Sequence, residues 1–184
     1  VMQILFFVTS FWVGTSGSDF YNSNLSEVQF ALRMQLGLGW MMCIIAGISF
    51  SILPLIYDVQ GFEKSLMRVY VGMNVTGQIA ITAAIMSNDS SMFDSFATVG
   101  ITLLSASIIS LWSPAMTIFR NKSTSGDKVG PFSYALGAFL PILGLITTLC
   151  WIMRDEFSGI LIFSEGLVFD FFMPLALIAL IISH

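Results

Sequence analysis

Charged side chains are scarce in these 184 residues: Lys and Arg number 7, Asp and Glu 11, and together they make up 10% of the chain. Soluble globular domains carry roughly a quarter. The formal charge of −4 excludes binding driven by phosphate neutralisation, so nucleic acid is not an expected partner. Histidine occurs once, as His184, and cysteine twice, as Cys43 and Cys150. One His and two Cys do not make a tetrahedral zinc site, an iron–sulfur site or a bis-histidine haem site, and no cofactor is expected to be held by this chain. Also missing are a Gly-rich phosphate loop, a Ser nucleophile with a base, paired metal-ligand spacings, and a repeat that would mark a two-halved transporter. A self-contained enzyme is therefore not expected.

What fills the chain instead is apolar: 56% of it is Ala, Val, Ile, Leu, Met, Phe, Trp, Tyr or Cys. The mean hydropathy of +0.88 belongs to a membrane protein. A bilayer core of about 30 Å takes roughly 20 apolar residues per helix. Six runs approach that length, near 1–16, 28–56, 65–86, 95–119, 131–153 and 158–183. The breaks between them are short and polar, which predicts one all-α transmembrane domain over 1–184, with six helices in a single antiparallel bundle. The first run is short of a full span unless residues precede Val1, and its VMQILFFVTSFWVG lacks the basic front end of a signal peptide.

The positive-inside rule orients the bundle. Lys64, Arg68, Arg120, Lys122 and Lys128 flank the second and fourth breaks, whereas only Arg33 and Arg154 flank the others. Five cations against two put breaks two and four, and both termini, in the cytoplasm. Asn24 and Asn88 then begin glycosylation sequons on the outer side.

In lipid, helices associate through small residues that allow close approach. Gly39, Cys43 and Gly47 recur every four residues in the second run, and Gly72, Thr76, Ala80 and Ala84 do so in the third, predicting two packing stripes. Cys43 and Cys150 read as small apolar packing residues. Acids within a span cost at least about 2.5–3.5 kcal/mol near its centre, which singles out Glu165 and Asp170 in the sixth run. Arg33 enters the second run at a depth similar to Glu165, so these two are expected to form an ion pair. Asp170 has no cation at its depth. It would be protonated, hydrogen-bonded to Asn74, Ser107 or Thr148, or paired with a cation on another subunit. On an α-helix, five residues put Glu165 and Asp170 140° apart, on different faces.

The second run reads LGLGWMMCIIAGISFSILPLIYD, with Gly39-Trp40, Gly47 and Leu53-Pro54. The fourth carries Asp94, Gly100 and Met116-Thr117-Ile118-Phe119-Arg120, and 132–143 lies in the fifth. These segments resemble helices two, four and five of the haem-copper oxidase subunit I superfamily, most closely its short six-helix relatives. In that family a haem-ligating His precedes the Leu-Gly-Trp stretch. Here the neighbourhood is Arg33-Met34-Gln35, and His184 lies at a segment end. The resemblance thus implies a family scaffold without its metal ligands: a non-catalytic subunit of a larger membrane oxidoreductase or electron-transfer complex. Such a subunit would sit among other integral-membrane subunits in the lipid of a plasma or other energy-transducing membrane. Two other readings compete with it. One is a small transporter or proton or ion channel using Asp170; the other is a haem or copper protein with non-His ligands, for which Met34, Met41 and Met42 could offer thioethers.

Overall fold

In a computed structural model the residues described are 25–47, 64–87, 89–123, 131–157 and 159–174, with Ile4, Val8, Thr9, Phe11 and Ser51; for 111–123, 131–138 and 140 the description covers the backbone alone. Every regular element among them is helical. Helix α1 covers Leu25–Gly47, α2 Lys64–Met86, α3 Ser90–Ser123 and α4 Pro131–Ile152. A last helix, α5, begins as Ile160–Gly166 and continues through Leu167–Phe172. Leu25–Gly47, Lys64–Met86 and Ser90–Ser110 are long and apolar enough to cross a membrane, and Pro141–Ile152 is an apolar stretch within α4. The expected runs at 1–16 and beyond 174, the sequon residues Asn24 and Asn88, and the Arg120–Lys128 break fall wholly or largely outside the residues described.

Local chemistry sets where α3 starts, and it starts earlier than the apolar run. Asp89 Oδ1 accepts the backbone N–H of Ser91 at 2.9 Å and of Met92 at 3.0 Å, and the Ser91 hydroxyl at 2.7 Å. These bonds satisfy N–H groups that the first turn leaves without helical acceptors. The Met92 N–H is the largest of the influences that hold this exposed carboxyl below the usual carboxylate range. Helix therefore begins at Ser90, and Asp94, one residue ahead of the apolar run at 95–119, lies in its second turn. Beyond the end of α4, Gly159 takes φ +86, a left-handed conformation that suits glycine, and turns the chain into α5. Pro141 lies inside α4 without ending it.

The core is one contiguous cluster. Phe30, Met34, Leu38, Met42 and Ala46 follow one another at four-residue spacing along α1, and Phe93, Ala97, Ile101, Leu104 and Ile108 line α3. They meet Ile81, Ala84 and Ile85 of α2, Leu143 and Trp151 of α4, and Val168 and Phe172 of α5. The helices come together through backbone contact at glycine. A Cβ on Gly77 would lie 2.9 Å from the Gly100 carbonyl oxygen, and one on Gly144 would lie 2.9 Å from that of Ser105. Outward, Ile79, Val99, Leu145, Leu149 and Ile162 are exposed, as expected of side chains that lipid solvates.

The two small-residue stripes need correction. Gly39 is buried, and a Cβ there would come 2.9 Å from Gln78 Cδ; Cys43 is half-buried. Gly47, by contrast, is exposed, and a Cβ there would meet nothing within 4 Å among the described residues. On α2, Ala80 and Ala84 are buried, but Gly72 and Thr76 face outward. The row of α2 that turns inward throughout is Tyr70, Asn74, Gln78 and Thr82, also at four-residue spacing. Polar groups without partners cost several kcal/mol in hydrocarbon, whereas a glycine or alanine facing lipid costs almost nothing, so the polar row takes the interior.

Candidate functional site

Two stretches of wide, π-helical turns, Gln35–Met41 in α1 and Leu167–Phe172 in α5, lie against each other and shape the region of interest. Gly37 makes their approach possible: a Cβ there would be 2.8 Å from Phe169 Cζ and 3.1 Å from Val168 Cγ1. Wide turns of this kind concentrate at functional sites, because they redirect side chains and displace the normal backbone hydrogen bonds. In α1 the Met42 N–H is bonded to the carbonyls of Gly37 and Gly39, bypassing Leu38 four residues back. The Leu38 carbonyl accepts Asn74 Nδ2 from α2 at 3.0 Å.

That bond belongs to a buried polar row. Gln78 Nε2 donates to Asn74 Oδ1 at 2.7 Å, Gln35 Nε2 to the Thr82 hydroxyl at 3.0 Å, and the Thr82 and Thr9 hydroxyls share a bond of 3.1 Å. Towards the other end, Cys43 Sγ donates to Asn74 Oδ1 at 3.3 Å, and the Tyr70 hydroxyl donates to Cys43 Sγ at 3.7 Å. Cys43 is thus a polar link between α1 and α2 rather than the plain apolar filler its sequence position suggests. Sequence reasoning missed the row as a unit; Tyr70, Asn74, Gln78 and Thr82 at strict four-residue spacing were the signal. Gln35 Oε1 is buried and has no hydrogen-bond partner among the described residues.

On the outer side of the two wide-turn stretches, Arg33, Leu36, Ile162, Glu165, Gly166, Phe169 and Asp170 line a cleft of about 410 Å³. Arg33 Nη1 donates to Glu165 Oε2, joining α1 to α5. The carboxylate is the enclosed member, with its side chain 13% exposed against 57% for the arginine. Asp170 is exposed and has no hydrogen bond to the described residues, so the expected bonds to Asn74, Ser107 or Thr148 are not made. Asn74 and Ser107 lie in the interior, where Asn74 Nδ2 is 3.5 Å from Ser107 Oγ, and the Thr148 hydroxyl donates to the Gly144 carbonyl. The 140° separation expected of Glu165 and Asp170 assumes α-helical geometry throughout. Wide turns bond each residue to the fifth one back, so residues five apart lie closer to one face, and both carboxylates border the cleft.

A second charged contact, not expected from sequence, closes the end of the bundle where α3 begins and α4 ends. Arg154 Nη2 donates to Asp94 Oδ1 at 2.6 Å and Nη1 to the Trp151 carbonyl at 3.0 Å, and the guanidinium lies 4.3 Å from the Trp151 ring centre. Trp151 stacks on Phe30 and donates its indole N–H to the Thr98 hydroxyl at 2.8 Å. Among the described residues, no group of three or more His, Cys, Asp or Glu side chains could hold a metal ion. No family model, curated protein or solved structure matches the chain.

Proposed function

We propose that the chain is a non-catalytic, integral-membrane scaffold subunit of a larger membrane complex, with six helices in an antiparallel bundle and both termini in the cytoplasm. The resemblance of 39–54 and 94–120 to haem-copper oxidase subunit I, with Arg33-Met34-Gln35 where the family ligates haem, points to an oxidoreductase or electron-transfer assembly in a plasma or other energy-transducing membrane. Other integral-membrane subunits and lipid are its partners. The observation that carries this reading is the place of Asp170: a carboxylate within an apolar helix, exposed on the outside of the bundle beside an ion pair. An acid in that position is expensive against lipid and is accounted for by a neighbouring subunit.

A second reading, a small transporter or proton channel, draws on the buried row from Tyr70 to Thr82. It is weakened by the same observation, because Asp170 borders the perimeter and not that interior row. Mass spectrometry of the native particle, extracted in mild detergent, separates the two. The scaffold reading expects the chain in stoichiometric association with other integral-membrane subunits. A chain that leaves the membrane alone and drives solute or proton flux in proteoliposomes overturns it.

A further inference from the structure

We infer that the cleft beside Asp170 seats a lysine or arginine side chain carried by a membrane-spanning helix of a partner subunit. The inference rests on the scaffold reading and adds to it the chemistry of the contact. The cleft contains one guanidinium, from Arg33, and two carboxylates, from Glu165 and Asp170. Glu165 takes the guanidinium, and Asp170 has no ion pair among the described residues, so the site is one positive charge short. Leu36, Ile162 and Phe169 supply apolar walls, which suit the methylene stem of a Lys or Arg whose charged end reaches the carboxylate.

Depth selects the source of the cation. The turn at 153–157 carries Arg154, Asp155 and Glu156 and marks the polar rim of the bundle. Asp170 lies ten residues beyond Ile160. At a rise of 1.5 Å per residue that is roughly 15 Å along α5, about half the thickness of a bilayer core. The amine of a lipid headgroup stays at the rim, whereas a basic side chain on a transmembrane helix can be positioned at any depth. Wide turns in both α1 and α5 keep the cleft open at this level, since Gly37 against Phe169 sets how the two helices meet beside it.

The test reconstitutes the purified full chain into phosphatidylcholine vesicles with fluorescent single-span polyleucine peptides that carry Lys, Leu or Glu at mid-span. Energy transfer reports association. The Lys peptide is expected to bind at least tenfold more tightly than the Leu peptide, with Asp170→Asn reducing the preference below threefold and Asp170→Glu retaining it. Circular dichroism confirms that the variants are folded. Equal binding of the Lys and Leu peptides, or a Lys preference that survives in Asp170→Asn, overturns the inference. So does displacement of the Lys peptide when phosphatidylethanolamine replaces phosphatidylcholine, which would assign the site to a lipid amine. If the Lys preference is absent while the chain still purifies with its native membrane partners, the inference fails and the scaffold reading stands.

Discussion

Asn74 shows how a single side chain can organise several helices. Its amide donates to the Leu38 carbonyl left over by the wide turns of α1, accepts from Gln78, and accepts from Cys43. Replacement by Leu removes all three bonds and strands a buried carbonyl. Asn74→Leu is expected to lower stability by about 1–3 kcal/mol, the usual range when buried partners are left unpaired. Thr76→Leu, on the outward face of the same helix, should stay within about 0.5 kcal/mol. Unfolding of the full chain by SDS in mixed micelles measures both, and equal losses would reverse the assignment of inward and outward rows. The Arg33–Glu165 pair was legible at this scale because depth along a span is counted directly in residues, and two opposite charges at one depth have few other partners. The surroundings of Asp170 were not legible, since its face depends on a helical pitch that sequence periodicity assumes to be uniform.

Between helices, contact distance decides what sequence spacing leaves open. Gly72 and Gly100 look equivalent in an apolar run, yet a Cβ on Gly100 would fall 2.6 Å from Ile81 Cγ1, 2.9 Å from the Gly77 oxygen and 3.0 Å from the Ile81 nitrogen, whereas one on Gly72 meets nothing within 4 Å. Backbone atoms cannot swing aside as a side-chain end can. Gly100→Ala is therefore expected to force α2 and α3 apart and cost roughly 1–3 kcal/mol, as overpacking does. Gly72→Ala should be neutral or stabilising by up to about 1 kcal/mol through helix propensity. The same SDS titration reads both, and a destabilised Gly72→Ala would contradict the outward placement of that stripe. The start of α3 has its own test. Because the folded-state pKa of Asp89 is lowered, its contribution to stability is present above the ordinary carboxylate pKa and is lost as the pH falls through the lower, folded value. Thermal unfolding followed from pH 7 downward should show an acid loss that is smaller in Asp89→Asn, which keeps a capping oxygen but has no charge to lose. An unchanged acid loss in that variant would remove Asp89 from the account.

Across the whole molecule, topology is the property most exposed to a direct experiment. The proposed orientation, which rests on the asymmetry of five cations against two, would put the Arg120–Lys128 break in the cytoplasm and the α2–α3 turn outside. In a Cys43→Ser, Cys150→Ala background, a cysteine at Ser90 should react with an impermeant thiol reagent in intact cells and one at Ser125 should not; the reverse pattern inverts the orientation. Composition and apolar run length suffice to make the regular elements among the described residues helical and fit for a bilayer, because a scarcity of charge and runs of about 20 apolar residues have few other stable outcomes. They also place most helix bodies, as with 65–86 against Lys64–Met86 and 131–153 against Pro131–Ile152. Which face of each helix turns inward was settled between helices. Two rows of α2 share the same spacing, and the polar one went inside because buried bonds from Asn74, Gln78 and Thr82 gain more there than Gly72 or Thr76 would. The wide turns at Gln35–Met41 and Leu167–Phe172, and the cleft that sets Asp170 beside Arg33 and Glu165, likewise arise where Gly37 meets Phe169. Local pitch there is set by the fit of two helices, which no periodicity within either one encodes.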